Sequence, residues 1–392
     1  MFSRSAKRGD KIAPFYVMEL LKRAKQLEAT GRDVVHMEIG EPDFPTPQPI
    51  IDAAVKYIIS GAVKYTPAAG LPQLREHIAE FYRQRYAVKV DEQRIFITPG
   101  ASGALLLALS ASLNPGDGVL LADPGYPCNV NFARFLDCIP QAVPVDAGTQ
   151  YQLDANLIRR HWHTGTRGVL IASPSNPTGT VIATAALEAA IAEVGRLQGY
   201  LYSDEIYHGL VYDEPAETAL KFSDKVFVIN SFSKYFGMTG WRLGWLIVPE
   251  AFIEITEKLA QNLFIASSAP AQYAALAAFT PQTISELEHR RAILGERRDF
   301  LYHGLLSLGF AIDCKPQGAF YIYADAKKFT GDSFQFALDF LESEAVAVTP
   351  GKDFGSHRAD QMLRFAYTTS IDRMDLALQR LSNHLKRINH AN

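Results

Sequence analysis

Between residues 95 and 248, short and continuously apolar runs alternate with stretches whose apolar residues recur at helical spacing. The runs lie at Ile95–Thr98, 119–122, 168–172, 200–203, 226–230 and 244–248. A strand with one face in water alternates apolar with polar residues, and most of these do not. They predict strands buried on both faces of a mostly parallel sheet. Helical patterns fall between them, including 101–113 and 183–198, and repeated strand–helix alternation predicts an open α/β sheet.

The last third reads differently. A long polar helical stretch covers about 285–307 and leads into 310–324, and a helix follows at 332–344. Short strands at 345–349 and 363–367 come next, then an amphipathic helix from about Asp372. This predicts a smaller α+β domain, with the early segment 34–39 pairing into it. The expected division is an N-terminal arm and part of the small domain at 1–45, a large domain at 46–284, and the rest of the small domain at 285–392. A chain of 392 residues exceeds one ordinary core, which fits two domains.

Composition narrows the class. Hydrophobic residues are 48% and charged residues 21%, and the net charge is -3. No run of one sign occurs, so nothing draws the chain to nucleic acid or to an anionic membrane. The most apolar run, 104–113, is far shorter than the roughly 20 residues that span a bilayer. Met1 to Lys11 is basic but lacks the apolar core of a signal peptide. Cys128, Cys138 and Cys314 are scattered with no C-x-x-C pair. That argues against a zinc knuckle or a disulfide framework and suits a reducing cytoplasm.

In open α/β sheets, ligands bind beyond the carboxyl ends of the strands. After the first run comes Pro99-Gly100-Ala101-Ser102-Gly103, which opens a helix. Small residues let a phosphate approach, and helix N-terminal N–H groups attract it. After the third comes Ser173-Pro174-Ser175-Asn176-Pro177-Thr178-Gly179, a stiff turn holding Asn176, with prolines that can adopt cis bonds. After the fourth come Asp204, Glu205, Ile206 and Tyr207; an acid at the end of a buried strand needs a cation or strong donors. After the fifth comes Ser231-Phe232-Ser233-Lys234, with Arg242 eight residues beyond the lysine. A lysine in apolar surroundings has a lowered pKa and becomes an amine nucleophile, whereas the ordinary lysine snorkels to the surface. An arginine fork suits a phosphate. Singly, each has an ordinary structural explanation. Together they offer an amine for an aldehyde, an acid for a pyridine nitrogen, donors for a phenolic oxygen and a phosphate cup, the four needs of pyridoxal 5'-phosphate.

The chain also resembles the class I aminotransferases of the aspartate aminotransferase fold, nearly end to end. The resemblance rests on Gly40-Glu41-Pro42-Asp43-Phe44-Pro45-Thr46-Pro47, Tyr65-Thr66-Pro67 with Gly70-Leu71-Pro72, Asn176-Pro177-Thr178-Gly179, and Asp204-Glu205-Ile206-Tyr207. It continues through Ser231-Phe232-Ser233-Lys234 with Gly240-Trp241-Arg242, then Pro316-Gln317-Gly318-Ala319-Phe320-Tyr321 and Leu363-Arg364-Phe365. It implies a mostly parallel seven-stranded sheet and a homodimer with shared active sites. Lys234 would form the Schiff base and shuttle the substrate proton, and Asp204 would keep the pyridine nitrogen protonated. Asn176 and Tyr207 would bind the phenolic oxygen. Gly100, Ala101, Ser102, Ser231 and Arg242 would hold the phosphate, and Tyr126 would stack on the ring. Tyr65 would reach the neighbouring subunit's phosphate. Arg364, with the Gly40 backbone and Asn176, would bind the substrate carboxylate.

The expected reaction moves an amino group between an amino acid and a 2-oxo acid by a ping-pong route. Some aspartate-specific relatives carry a lysine in the turn where this chain has Ser102, and Ile12-Ala13-Pro14-Phe15-Tyr16 is bulky and apolar. Both point to a neutral or hydrophobic donor. The rivals are a C–S β-lyase or a decarboxylase of related fold on the same cofactor, a non-catalytic pyridoxal-phosphate-binding sensor, and a dinucleotide oxidoreductase. The last lacks a G-x-G-x-x-G after an early strand.

Overall fold

The structure is a computed structural model and describes residues 9–12 and 15–391. Most of the basic start, and Ala13 and Pro14 of the apolar entrance segment, lie outside the described residues.

The strands are β1 (Val35–His36), β2 (Ile95–Thr98), β3 (Gly118–Asp123), β4 (Ile139–Pro144), β5 (Thr166–Ala172) and β6 (Tyr200–Asp204). They continue with β7 (Phe227–Ser231), β8 (Gly244–Ile247), β9 (Tyr321–Asp325), β10 (Val346–Ala347), β11 (Thr349–Pro350) and β12 (Met362–Ala366). Seven form one sheet in the order β2-β8-β7-β6-β5-β3-β4. Strand β8 runs antiparallel to both neighbours, β2 and β7, while the other pairings are parallel. This is the predicted α/β fold.

Both faces of the sheet are buried, as the continuous apolar runs require. In β2, Ile95 and Ile97 join one core and Phe96 the other. In β7, Val228 faces the first core, and Phe227 and Ile229 face the second. Burying each such side chain stabilises the fold by roughly 1.5–3 kcal/mol. The six strands read from sequence match β2, β3, β5, β6, β7 and β8. The seventh, β4, is Ile-Pro-Gln-Ala-Val-Pro, largely exposed at the sheet edge, and carries two prolines. Proline cannot donate to a ladder and is tolerated only at such an edge, so the apolar-run criterion does not find it.

In the last third, the long helix starts at Pro281, ahead of the expected position. Thr280 caps it and the proline occupies its first turn. The expected strand at 345–349 is divided. Its first half, β10, pairs in parallel with β1, and its second half, β11, joins β12 and β9. The segment 34–39 therefore does pair with the C-terminal third. A second tie binds the N-terminal region. The Asp353 carboxylate accepts from the Tyr16 and Val17 N–H groups at 2.7 and 2.8 Å, capping the helix Tyr16–Ala29.

Gly244, the first residue of β8, lets the neighbouring helix start approach. A Cβ there would lie 2.8 Å from Asn230 O, 2.8 Å from Gly100 C and 2.9 Å from Ala101 N. All three are backbone atoms and cannot swing aside. Gly244→Ala is expected to lower stability by about 1–3 kcal/mol and to weaken anion binding at residue 100. Urea unfolding and phosphate titration check both.

Candidate active site

Five strand ends and the start of β8 meet at one edge of the sheet. Chain direction explains the last. Because β8 runs backwards, its beginning lies where its neighbours end, and Arg242 arrives beside Gly100 and Ser231. The helix Gly100–Ser112 leaves β2 through Pro99 with no side-chain cap, so its first N–H groups remain available. Gly100 has φ +69°, and a Cβ there would lie 2.8 Å from Arg242 Nη2. Arg242 donates through Nη1 to Thr239 O at 3.0 Å. Ser231 Oγ accepts from Ser233 N at 3.0 Å. Ala101, Ser102, Ser231 and Arg242 line one end of a cavity of about 360 Å³.

Lys234 and Asp204 stand on the wall of the same cavity. Lys234 Nζ donates to Gly40 O at 2.8 Å and lies 5.7 and 5.6 Å from the ring centres of Tyr207 and Phe320. Burial pulls its ammonium down to about 8, against the opposite pull of the Glu41 carboxylate. Asp204 is buried with one backbone donor, Ile206 N at 3.3 Å. Burial lifts its carboxyl to about 7. An acid that has lost its hydration without gaining a cation is ready for a cationic partner.

Opposite them is Arg364 of β12, only 5% exposed. Its Nη1 donates to Asn176 Oδ1 at 2.9 Å, and its Nη2 donates to Glu38 O at 2.6 Å and Thr349 Oγ1 at 3.0 Å. Its guanidinium lies 4.1 Å from the Tyr321 ring centre and 4.9 Å from that of Phe354. Since arginine only donates, Asn176 must present its oxygen to Arg364, which leaves Nδ2 as the free donor. The peptide bonds Ser173–Pro174 and Asn176–Pro177 are cis. The Tyr207 and Tyr321 hydroxyls are 3.1 Å apart.

The cavity therefore gathers Gly40, Ala101, Ser102, Tyr126, Asn176, Asp204, Tyr207, Ser231, Lys234, Arg242 and Arg364 on its wall, with Gly100 behind Arg242. Tyr65 is not among them; it is 84% exposed. Sequence reasoning did not single out Tyr321 and Thr349. Tyr321 orients Tyr207 and Arg364 and requires glycine at position 40, where a Cβ would lie 2.3 Å from its hydroxyl. Its place in the Pro316–Tyr321 motif is the signal that pointed to it. Thr349 carries no such signal.

The donor set fits pyridoxal phosphate from end to end. It has an anion cradle with an arginine, a buried acid without a cation, a free amide donor and phenol, and a lysine whose pKa burial has lowered. Residues 32–381 match the family model for aminotransferase class I and II. The valine–pyruvate aminotransferase of Mycobacterium tuberculosis is 37% identical over 95% of this chain and 97% of that one. An aspartate aminotransferase of Thermotoga maritima is 33% identical over 94% and 96%. A crystal structure of an aminotransferase from Mycobacterium tuberculosis superposes with a TM-score of 0.95 at 37% identity, covering 98% of this chain and all of that one. The Thermus thermophilus aspartate aminotransferase with maleate gives 0.92 at 31% identity, with 98% of this chain and 100% of that one covered. Such a fold and cavity define an enzyme of amino-group transfer. The chain belongs to the class I and II aminotransferases and depends on pyridoxal phosphate.

Among the described residues no helix is long and apolar enough to cross a membrane, and no cluster of side chains suits a metal ion.

Asp204 also sets a pH dependence. The unfolded chain releases this proton near 3.8, whereas the folded, cofactor-free protein keeps it to about 7. The folded state binds the extra proton between those values, so stability falls as pH rises through them, at up to about 1.4 kcal/mol per pH unit. Asp204→Asn removes this slope. Chemical denaturation of both cofactor-free proteins across that range would show the wild type losing ground to the variant. Parallel curves would contradict it.

Proposed function

We propose that this aminotransferase acts on neutral or hydrophobic amino donors, with 2-oxoglutarate or pyruvate as acceptor, and that Lys234 is both cofactor anchor and proton carrier. One observation carries the donor reading. The cationic side chains lining the cavity among the described residues are Lys234, Arg242 and Arg364. The first is assigned to the cofactor aldehyde, the second to its phosphate and the third to the substrate α-carboxylate. None of this protomer's three is left for a second carboxylate, and Ser102 offers no charge. The helix Tyr16–Ala29 contributes Val17, Met18 and Leu21 to the wall, with Phe15 beside them. The relative named valine–pyruvate aminotransferase points the same way; those named aspartate aminotransferase, such as that of Thermotoga maritima, point the other way.

Bound pyridoxal phosphate supplies the electron sink that makes the substrate Cα acidic. The chain's residues do the rest. Asp204, ionised once it faces a cationic ring nitrogen, holds that proton in place. Asn176 Nδ2 and the Tyr207 hydroxyl donate to the phenolic oxygen. Tyr126 covers the ring. Gly100, Ala101, Ser102, Ser231 and Arg242 hold the phosphate, and Arg364 fixes the α-carboxylate with the Gly40 backbone alongside. The Lys234 amine would anchor the cofactor and, when free, would take and carry the proton lost from the substrate Cα. Its lowered pKa suits it to accept and release a proton near neutrality.

The active form is proposed to be a homodimer with shared sites. The helix Gln48–Ile59 and the turn after it leave Val55, Ile58, Ile59, Val63 and Tyr65 exposed, an unusual grouping for a free surface. Tyr65 in this patch is assigned to the partner's phosphate. The free cysteines suit a reducing cytoplasm.

Lys234→Ala should prevent covalent attachment of the cofactor, read by mass spectrometry after borohydride reduction. In the wild type, the rate of attachment should rise with pH through about 8, because the neutral amine is the nucleophile. A rise only near the ordinary lysine value would refute the lowered pKa. Donor kinetics test specificity: valine, alanine and aromatic donors should outperform aspartate, and a strong aspartate preference would overturn the reading. Release of pyruvate and ammonia from cystathionine would favour a β-lyase.

A further inference from the structure

A second cavity of about 320 Å³ adjoins the first. It lies beyond the ends of β3 and β5, between the helix Pro127–Phe135 and the loop around residues 352–356. Seven residues line both cavities, among them Tyr126, Asn176, Asp353 and Phe354. Two of these touch Arg364: Asn176 accepts its hydrogen bond, and Phe354 lies against its guanidinium. A substrate held by its carboxylate on Arg364 therefore stands beside the wall that the two cavities share.

The chamber is walled by apolar groups from Leu121, Val130, Leu153 and Phe354. Among them is Asn129, only 6% exposed, whose Oδ1 has no hydrogen-bond partner. A buried amide oxygen left unpaired carries a desolvation cost that a donor would remove. Of the cations nearby, Lys352 is committed to Asp332 and Asp360 at 2.8 and 3.1 Å, and Arg134 also lines the wall. The chamber is larger than a branched aliphatic side chain fills.

Resting on the neutral-donor reading above, we infer that this chamber is a side-chain subsite for aromatic amino acids bearing a ring donor, a phenolic O–H or an indole N–H. The ring packs on the apolar wall and the donor hydrogen-bonds to Asn129. Asn129 and Val130 are thereby specificity-determining residues.

The test uses the protein loaded with pyridoxal phosphate and two unreactive carboxylates, para-hydroxyphenylpropanoate and phenylpropanoate, with affinities read by calorimetry. The phenol is expected to bind about tenfold more tightly or better, because a site built for a donor disfavours the analogue lacking it. Asn129→Leu should erase that difference. Val130→Trp, which narrows the chamber, should weaken both ligands. In turnover, Val130→Trp should lower kcat/KM for tyrosine relative to alanine by about the same factor. Equal affinity for the two ligands, an undiminished difference in Asn129→Leu, or tighter binding of glutarate than of either, through Arg134, would each overturn the subsite. Aspartate preference in turnover with the phenol difference intact would count against the donor reading while supporting the chamber.

Discussion

A sheet covered on both faces can present polar groups only at its ends. That constraint organises this molecule. Side chains in the interiors of β5, β6 and β7 are surrounded by apolar packing, so charge and hydrogen-bonding capacity collect where the strands stop. Asn176, Asp204 and Lys234 each lie within four residues of such an end. The reversed β8 adds Arg242 to the same edge from the opposite chain direction. The site is thus a product of topology before it is a product of any single side chain.

The electrostatics follow from the same enclosure. Asp204 and Lys234 are both pushed toward their neutral forms by loss of water. Neither is neutralised by the other at close range, which suits the cofactor contacts proposed for both. Arg364 is treated differently. Asn176, Glu38 O and Thr349 occupy its donors, with the Tyr321 and Phe354 rings against its plane. Arg364 Nε remains buried and unpartnered.

Much of this was legible in sequence for a stated reason. A buried parallel strand announces itself by an unbroken apolar run, and its end tells where to look. Lys234, Asp204, Asn176 and Gly100 were found in that way. Strand β4 was not, because an edge strand with two prolines and exposed positions has no apolar run. Strand direction leaves no trace in periodicity, so the meeting of Arg242 with Gly100 was implied by the family resemblance and not by the apolar pattern. The pairing of 34–39 with the C-terminal third was foreseen. The division of 345–349 between two sheets was not, since a change of partner within five residues leaves the pattern intact. Thr349 owes its contact with Arg364 to that division.

The cap that Asp353 places on the helix Tyr16–Ala29 has a consequence for the order of assembly. As the chain emerges from the ribosome, this helix is made more than three hundred residues before its anchor. Strand β1 waits equally long for β10. The N-terminal segment cannot settle until the C-terminal third exists, whereas the central sheet can form from neighbours already present. The wall of the cavity that bears Val17, Met18 and Leu21 is accordingly set after the central sheet, and a nascent chain truncated before residue 353 lacks the carboxylate that caps its helix.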